Sequence, residues 1–277
     1  MKNNVILDMI GKISPQAEAL VKMGLDKGIV TVYYLNHHKD EDAVFLAVEE
    51  DACITLFAYS INDTNNDTIA PLVKDIMTYH IANRKSKALC FNVHGKNTGI
   101  IDLISNTDFS LDAEGYHLCY VGNALFEGDA RGLVEKGYHS AAIKQFTDLF
   151  DSAYHQLACE TGVETNTYSK NESRIDAWFT ELSKQNRLTS FWLDDDLVGA
   201  YIIDDSYIRD FVVHPRHQNK GLGKQLLASC LKHMHQHMPL SDITLRVMRC
   251  NAGAKRFYER HHFKEIACFS EHTYTRD

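Results

Sequence analysis

Residues 214–226 read HPRHQNKGLGKQL. Gly221 and Gly223 stand one residue apart between Lys220 and Lys224, with the strand-like DFVV before them and the apolar-periodic LLASCLKHM after. A strand that turns on glycines into a helix presents unpartnered backbone N–H groups at the positive end of a helix dipole. The guest it suits is an anion such as phosphate. Two phosphate-binding patterns do not fit. A P-loop needs glycine where Gln218 stands and Ser or Thr where Gln225 stands, and a dinucleotide fingerprint needs a third glycine at Leu226.

Outward from this stretch, residues 138–157 and 172–184 carry apolar side chains at helical spacing. TSFWLD, LVGAYIID and YIRDFVVH follow as three strands separated by short acidic turns. The glycine stretch opens a helix to about His237; then come DITLRVM as a strand, GAKRFYERHH as a short helix and ACFSEHTY as a strand. The order is two helices, three strands, helix, strand, helix, strand.

The front of the chain repeats this pattern at an offset of 154 residues, pairing Asp40 with Asp194, Val44 with Val198, Phe57 with Phe211 and Leu72 with Leu226. Without a gap the same offset pairs Val93 with Val247, Asn97 with Asn251, Gly99 with Gly253, Phe109 with Phe263 and Tyr120 with Tyr274. So long a period marks a duplicated domain, not a solenoid. A chain of 277 residues suits two domains of about 140. The boundary is expected in GNALFEGDARG (122–132), giving domains 1–126 and 127–277. Shifting the helix at 138–157 back by the offset leaves no room ahead of Met1, so the first copy is expected to be truncated and to lack that helix.

Gln218, Gly221 and Gly223 fit [QR]-x-x-G-x-[GA], and Phe211, Val213 and Pro215 precede them as F-x-V-x-P. Further on, Asn251, Ala254, Phe257, Tyr258 and Phe263 fit N-x-x-A-x-x-F-Y-x-x-x-x-F. In this order, with a helix and a strand between, these motifs resemble the GNAT superfamily of acyl-CoA-dependent N-acetyltransferases over about 207–263. One departure is His262, where the family usually has glycine; histidine tolerates a left-handed helix end better than most residues.

The resemblance implies an α/β fold, with two tandem GNAT-like domains. Each is a mixed, mostly antiparallel sheet with one splayed strand pair, flanked by helices. It implies acetyl-CoA as co-substrate, its pyrophosphate cradled by Gln218, Asn219, Lys220, Gly221, Leu222, Gly223 and Lys224. The pantetheine would lie along Phe211, Val212 and Val213 like an added strand, beside Asn251, Ala254 and Phe257. A backbone N–H of Val212 or Val213 would polarise the thioester carbonyl. Tyr258 holds the place of the general acid at the leaving sulfur, a phenol with an ordinary pKa of about 10. Asp210 is the candidate base, with His214 second, although an aspartate there also suits an ion pair with Arg209.

At the same offset the first copy reads TNNDTI, with Asp67 at the place of Gly221, Ile69 at Gly223 and Ile104 at Tyr258; Asn97 alone is retained. An inactive first domain of little or no cofactor affinity is expected, serving as structural partner and one wall of the substrate cleft.

Composition narrows the partners. The formal net charge is −8 with no basic run, which excludes a general nucleic-acid binder. No apolar run approaches a membrane span. Seven cysteines, none in a C-x-x-C pair, read as free thiols of a reducing compartment, and MKNNVILDMIGKI lacks the features of a signal peptide. The expectation is a cytoplasmic monomer or homodimer. His233 and His237 lie one helical turn apart without a third ligand, so no metal is expected. The expected acceptor is the primary amine of a small or amino-acid-like molecule. The alternatives are a protein or peptide amine, or a non-catalytic acyl-CoA-binding regulatory module, which would have no need of Tyr258.

Overall fold

The computed structural model describes residues 2–38, 40–62, 66–84, 87–122, 132–237 and 242–274. Contacts divide the chain into Met1–His117 with Glu265–Asp277, and Leu118–Lys264. The boundary expected at 126/127 lies outside the described residues. The end of the chain is counted with the first unit because Cys268–Thr273 pair with a strand of that unit. Nothing local in ACFSEHTY announces this.

The first unit contains α1 (Lys2–Gly11), α2 (Pro15–Lys27), β1 (Val30–Asn36), β2 (Ala43–Glu49), β3 (Cys53–Ser60), α3 (Asn66–Asn83), β4 (Ala88–Gly95) and α4 (Thr98–Ser105). Most of β5 (Phe109–Tyr120) also belongs to it. With the end of the last strand, β11 (Phe263–Tyr274), its strand order is β1-β2-β3-β4-β11-β5. The sheet is covered on both faces, which is why β2 and β3 are nearly all apolar. Val44, Leu46, Val48 and Phe57 pack with Ile6, Met9, Ile10 and Val21 of α1 and α2. Phe45, Leu56, Phe91 and Val93 pack with Ile69, Val73, Ile100 and Ile104 of α3 and α4.

The expectation that the first copy lacks its first helix is corrected here: α1 and α2 are both present. The repeat register breaks ahead of α2 because only three residues join these helices. Ser14 caps α2 by accepting from Ala17 N–H at 3.1 Å, with Pro15 at the first helical position.

The second unit contains β6 (Leu133–Lys136), α5 (Ile143–Thr161), α6 (Thr167–Lys170), α7 (Glu172–Lys184), β7 (Leu188–Leu193), β8 (Asp196–Asp204) and β9 (Tyr207–Val213). It continues through α8 (Leu222–His237), β10 (Thr244–Met248) and α9 (Ala252–Arg260), and its strands run β10-β9-β8-β7-β6. The element order matches the sequence expectation except for the four-residue helix α6 and for β6, a four-residue edge strand whose LVEK carries two charges and no alternation. Phe146, Phe150 and Phe179 of α5 and α7 bury against Ala200, Ile202 and Val212 of the sheet. Gly199 on β8 lets α8 close on the sheet, since a Cβ there would lie 2.4 Å from Leu226 Cδ2. Both units are therefore mixed sheets flanked by helices.

Candidate active site

The site begins with a register fault. On the β8–β9 pair Asp204 faces Tyr207 and Ile203 faces Ile208, but Ile202 faces Asp210, so Arg209 is an extra residue on β9. Such a bulge bends its strand and increases the local twist. β9 runs parallel to β10 only at Tyr207 opposite Thr244 and Ile208 opposite Leu245. Pairing stops where the bulge begins, and the rest of β9 has an unpaired edge.

Parity decides which groups line that edge. His214 N–H donates to Val198 O at 2.9 Å, so His214 and Val198 form a hydrogen-bonded pair. Alternation along an antiparallel ladder then turns the backbone polar groups of Val212 toward β8 and those of Phe211 and Val213 toward the open edge. Gln218 Nε2 donates to Val213 O at 2.9 Å, satisfying a carbonyl that β10 leaves unpaired. Of the two expected carbonyl-polarising N–H groups, Val213 faces the opening; the side chain of Val212 is buried in the core.

The glycine turn follows. Asn219 and Gly221 both take left-handed conformations, φ 59° and 81°, and a Cβ on Gly221 would meet nothing within 4 Å. Gly223 gives close packing: a Cβ there would lie 3.3 Å from Phe257 Cε2, so the ring that brings α9 against the start of α8 would have to give way slightly. Leu222 opens α8, and Gln218, Asn219, Lys220, Gly221 and Lys224 are exposed around its first turn. Exposed N–H groups, a helix N-terminus and flanking lysines make a fitting cradle for a pyrophosphate. Asn251 caps α9 by accepting from Ala254 N–H at 3.0 Å, so its oxygen is engaged in starting the helix. His262 takes φ 66°, the left-handed geometry expected of it.

α9 delivers Tyr258, whose ring meets Phe211 edge-on at 6.1 Å and Phe263 at 5.3 Å. Burial, with Cys230, Tyr207 and Asp210 nearby, raises its pKa above the ordinary phenol value, so it stays protonated at neutral pH. Its hydroxyl makes no hydrogen bond among the described residues and is free to serve an incoming group.

Asp210 accepts a hydrogen bond from the Tyr154 hydroxyl of α5 at 2.7 Å. Burial raises its pKa above the usual carboxylate range, partly offset by that hydrogen bond and by Arg209. Arg209 does not clamp it. Its Nε lies 3.6 Å from Asp210 Oδ2 and its Nη1 3.6 Å from Asp204 Oδ2, both beyond good hydrogen-bond range, so the guanidinium is shared between the two carboxylates and lies over the Trp178 ring at 4.9 Å. Arg187 also pairs with Asp204. His214 is less suited to proton transfer: Nδ1 accepts from Arg216 N–H at 3.2 Å, which puts the proton on Nε2 toward Asp148 Oδ2 at 3.3 Å.

A strand that splays at a bulge, then turns on two glycines into a helix, with a second helix closing on the turn, is what the motif resemblance implied, and the sequence match agrees. Residues 146–263 match the acetyltransferase (GNAT) family model. This segment is a GNAT domain. Among solved structures, the chain is similar to a GNAT-family acetyltransferase from Colwellia psychrerythraea at 12% identity, covering 89% of this chain and 85% of that one, with a TM-score of 0.52. It is also similar to a GCN5-related N-acetyltransferase from Sphaerobacter thermophilus at 10% identity, covering 93% and 84%, with a TM-score of 0.51. At such identity these show the fold alone, and their coverage extends it over both units. No curated protein matches the chain. The GNAT fold supports acyl-CoA-dependent acetyl transfer in general.

Among the described residues no group of three or more His, Cys, Asp and Glu could hold a metal, and no helix is long and apolar enough to cross a membrane. The residue that sequence reasoning missed is Tyr154. It lies 56 positions from Asp210 on a helix whose apolar spacing accounts for a tyrosine as core.

Proposed function

We propose that the second unit is an acetyl-CoA-dependent N-acetyltransferase for the primary amine of a small molecule. The observation that carries this reading is the open edge of β9 running into the left-handed glycine turn at α8, with Tyr258 and Asp210 on neighbouring elements. Asp210 takes a proton from the acceptor ammonium, and the freed nitrogen lone pair attacks the thioester carbonyl carbon. Val213 N–H donates to the developing oxyanion. As the carbon–sulfur bond breaks, Tyr258 gives its proton to the thiolate and recovers one from the amide nitrogen.

The test is calorimetric titration of acetyl-CoA into the protein and into Gly221→Asp, which writes the first copy's residue into the second. One site per chain is expected, weakened on the order of 100-fold in the variant by backbone strain and by a negative charge beside phosphate. Tyr258→Phe should leave binding intact and lower kcat by about 100-fold in an amine panel read by thiol release. Two sites per chain would overturn the assignment to one unit. Absence of binding would reduce the glycine stretch to a turn.

A further inference from the structure

We propose that Tyr154 is a positioning residue for Asp210, pinning one carboxylate oxygen so that the other is presented to the acceptor amine. The proposal rests on the reading of Asp210 as the base. Tyr154 donates to Oδ1 at 2.7 Å, and Oδ2 accepts no hydrogen bond among the described residues. An ionised carboxylate left with a single donor can rotate about its bond to Cβ unless that donor is itself held. Tyr154 is held: its ring lies nearly parallel to Tyr168 of α6, with centroids 6.3 Å apart and planes 16° apart, and against Phe150 at 6.3 Å.

Every charged or titratable group facing Asp210 fits this division of labour. From α5 comes Tyr154, from α6 Tyr168, from α9 Tyr258, and from its own strand Arg209. The three phenols are all shifted upward by burial, so around neutral pH they are donors and cannot take the proton themselves. Arg209 stands 3.6 Å from Asp210 Oδ2 and equally far from Asp204, over the Trp178 ring; it is too far to hydrogen-bond Oδ2 and, always charged, cannot take the proton. That leaves Asp210 Oδ2 as the acceptor of the amine's proton and Tyr154 as the group that orients it.

The deciding measurement is a carbon NMR pH titration of protein labelled at the aspartate carboxyl carbons, with the Asp210 signal assigned by its loss in Asp210→Asn. The Tyr154 hydrogen bond lowers the Asp210 pKa, so Tyr154→Phe should move the titration to higher pH. The acid limb of acetyl transfer from acetyl-CoA to n-butylamine should move with it. kcat should fall about tenfold at neutral pH with the KM for acetyl-CoA unchanged. An Asp210 titration that Tyr154→Phe does not move overturns the proposal, whatever happens to rate or stability. If Asp210→Asn itself retains the rate and its acid limb, the base reading fails and the proposal falls with it. The two failures are told apart by which variant is silent.

Discussion

The same strand pair occurs once in each unit, closed in one and open in the other. In the first unit β3 pairs with β4 along its whole length, from Cys53 opposite Ala88 to Ser60 opposite Gly95. Lys96 N–H continues the seam to Ser60 O at 3.0 Å. Its outer neighbour β2 meets β3 in unbroken register from Ala43 opposite Ser60 to Glu49 opposite Ile54. In the second unit the corresponding β8–β9 register slips by one residue at Arg209, and β9 leaves β10 after Ile208. One extra residue in a ladder therefore separates a wall from an edge able to receive a ligand. The glycines follow suit: Gly95 lets two strands touch, whereas Gly221 keeps a turn bare.

The largest effect should come from exchanging those glycines for alanine. A Cβ on Gly95 would lie 1.8 Å from Ser60 O in a backbone at φ 98°, so strands must separate to admit it. Gly95→Ala should cost about 4 kcal/mol or more in urea unfolding. Gly221→Ala, with nothing within 4 Å, should cost about 1–2 kcal/mol from its left-handed backbone alone. Equal losses would mean that the seam is not tight.

Deleting Arg209 should come next. The deletion keeps Ile203 opposite Ile208 and Ile202 opposite Asp210 while removing the bulge. The folded protein should persist, with acetyl-CoA binding weakened on the order of 100-fold as β9 straightens toward β10. Calorimetry on a variant with native-like circular dichroism reads this directly. Undiminished binding would show that the splay has another cause.

The glycine turn, the helix it opens and the three strands ahead of it were legible in the sequence, because each depends on local spacing and turn chemistry. Tyr258 was legible through motif resemblance. The bulge was not, since a register exists only between two strands and Arg209 differs from the first copy's Thr55 in no way that signals an insertion. Tyr154 was hidden for the same reason: its partner is distant in sequence, and a tyrosine on an apolar helix face accounts for itself as core. The place of β11 beside β4 depends on which edge is free in the folded chain, which no local pattern records. The first helix was masked by a shorter helix–helix link, which defeats a gapless comparison.

The smallest expected effect concerns a polar motif residue that both copies share. Asn251 caps α9 through its side-chain oxygen on Ala254 N–H. Asn97 is fully buried, makes no such cap on α4 and gives its amide to His94 O instead. Identical residues at equivalent positions thus serve unlike bonds, and their substitutions should diverge. Asn251→Ala should cost about 1 kcal/mol, nearly all recovered by Asn251→Ser, because serine caps as asparagine does. Asn97→Ser should recover nothing over Asn97→Ala, since a hydroxyl is too short to replace the amide at His94 O; both should cost about 1–2 kcal/mol. Chemical denaturation of the four variants decides it. Recovery by serine at both positions would mean that the first copy keeps the cap after all, and that the two units diverged at the strand seam and glycine turn alone.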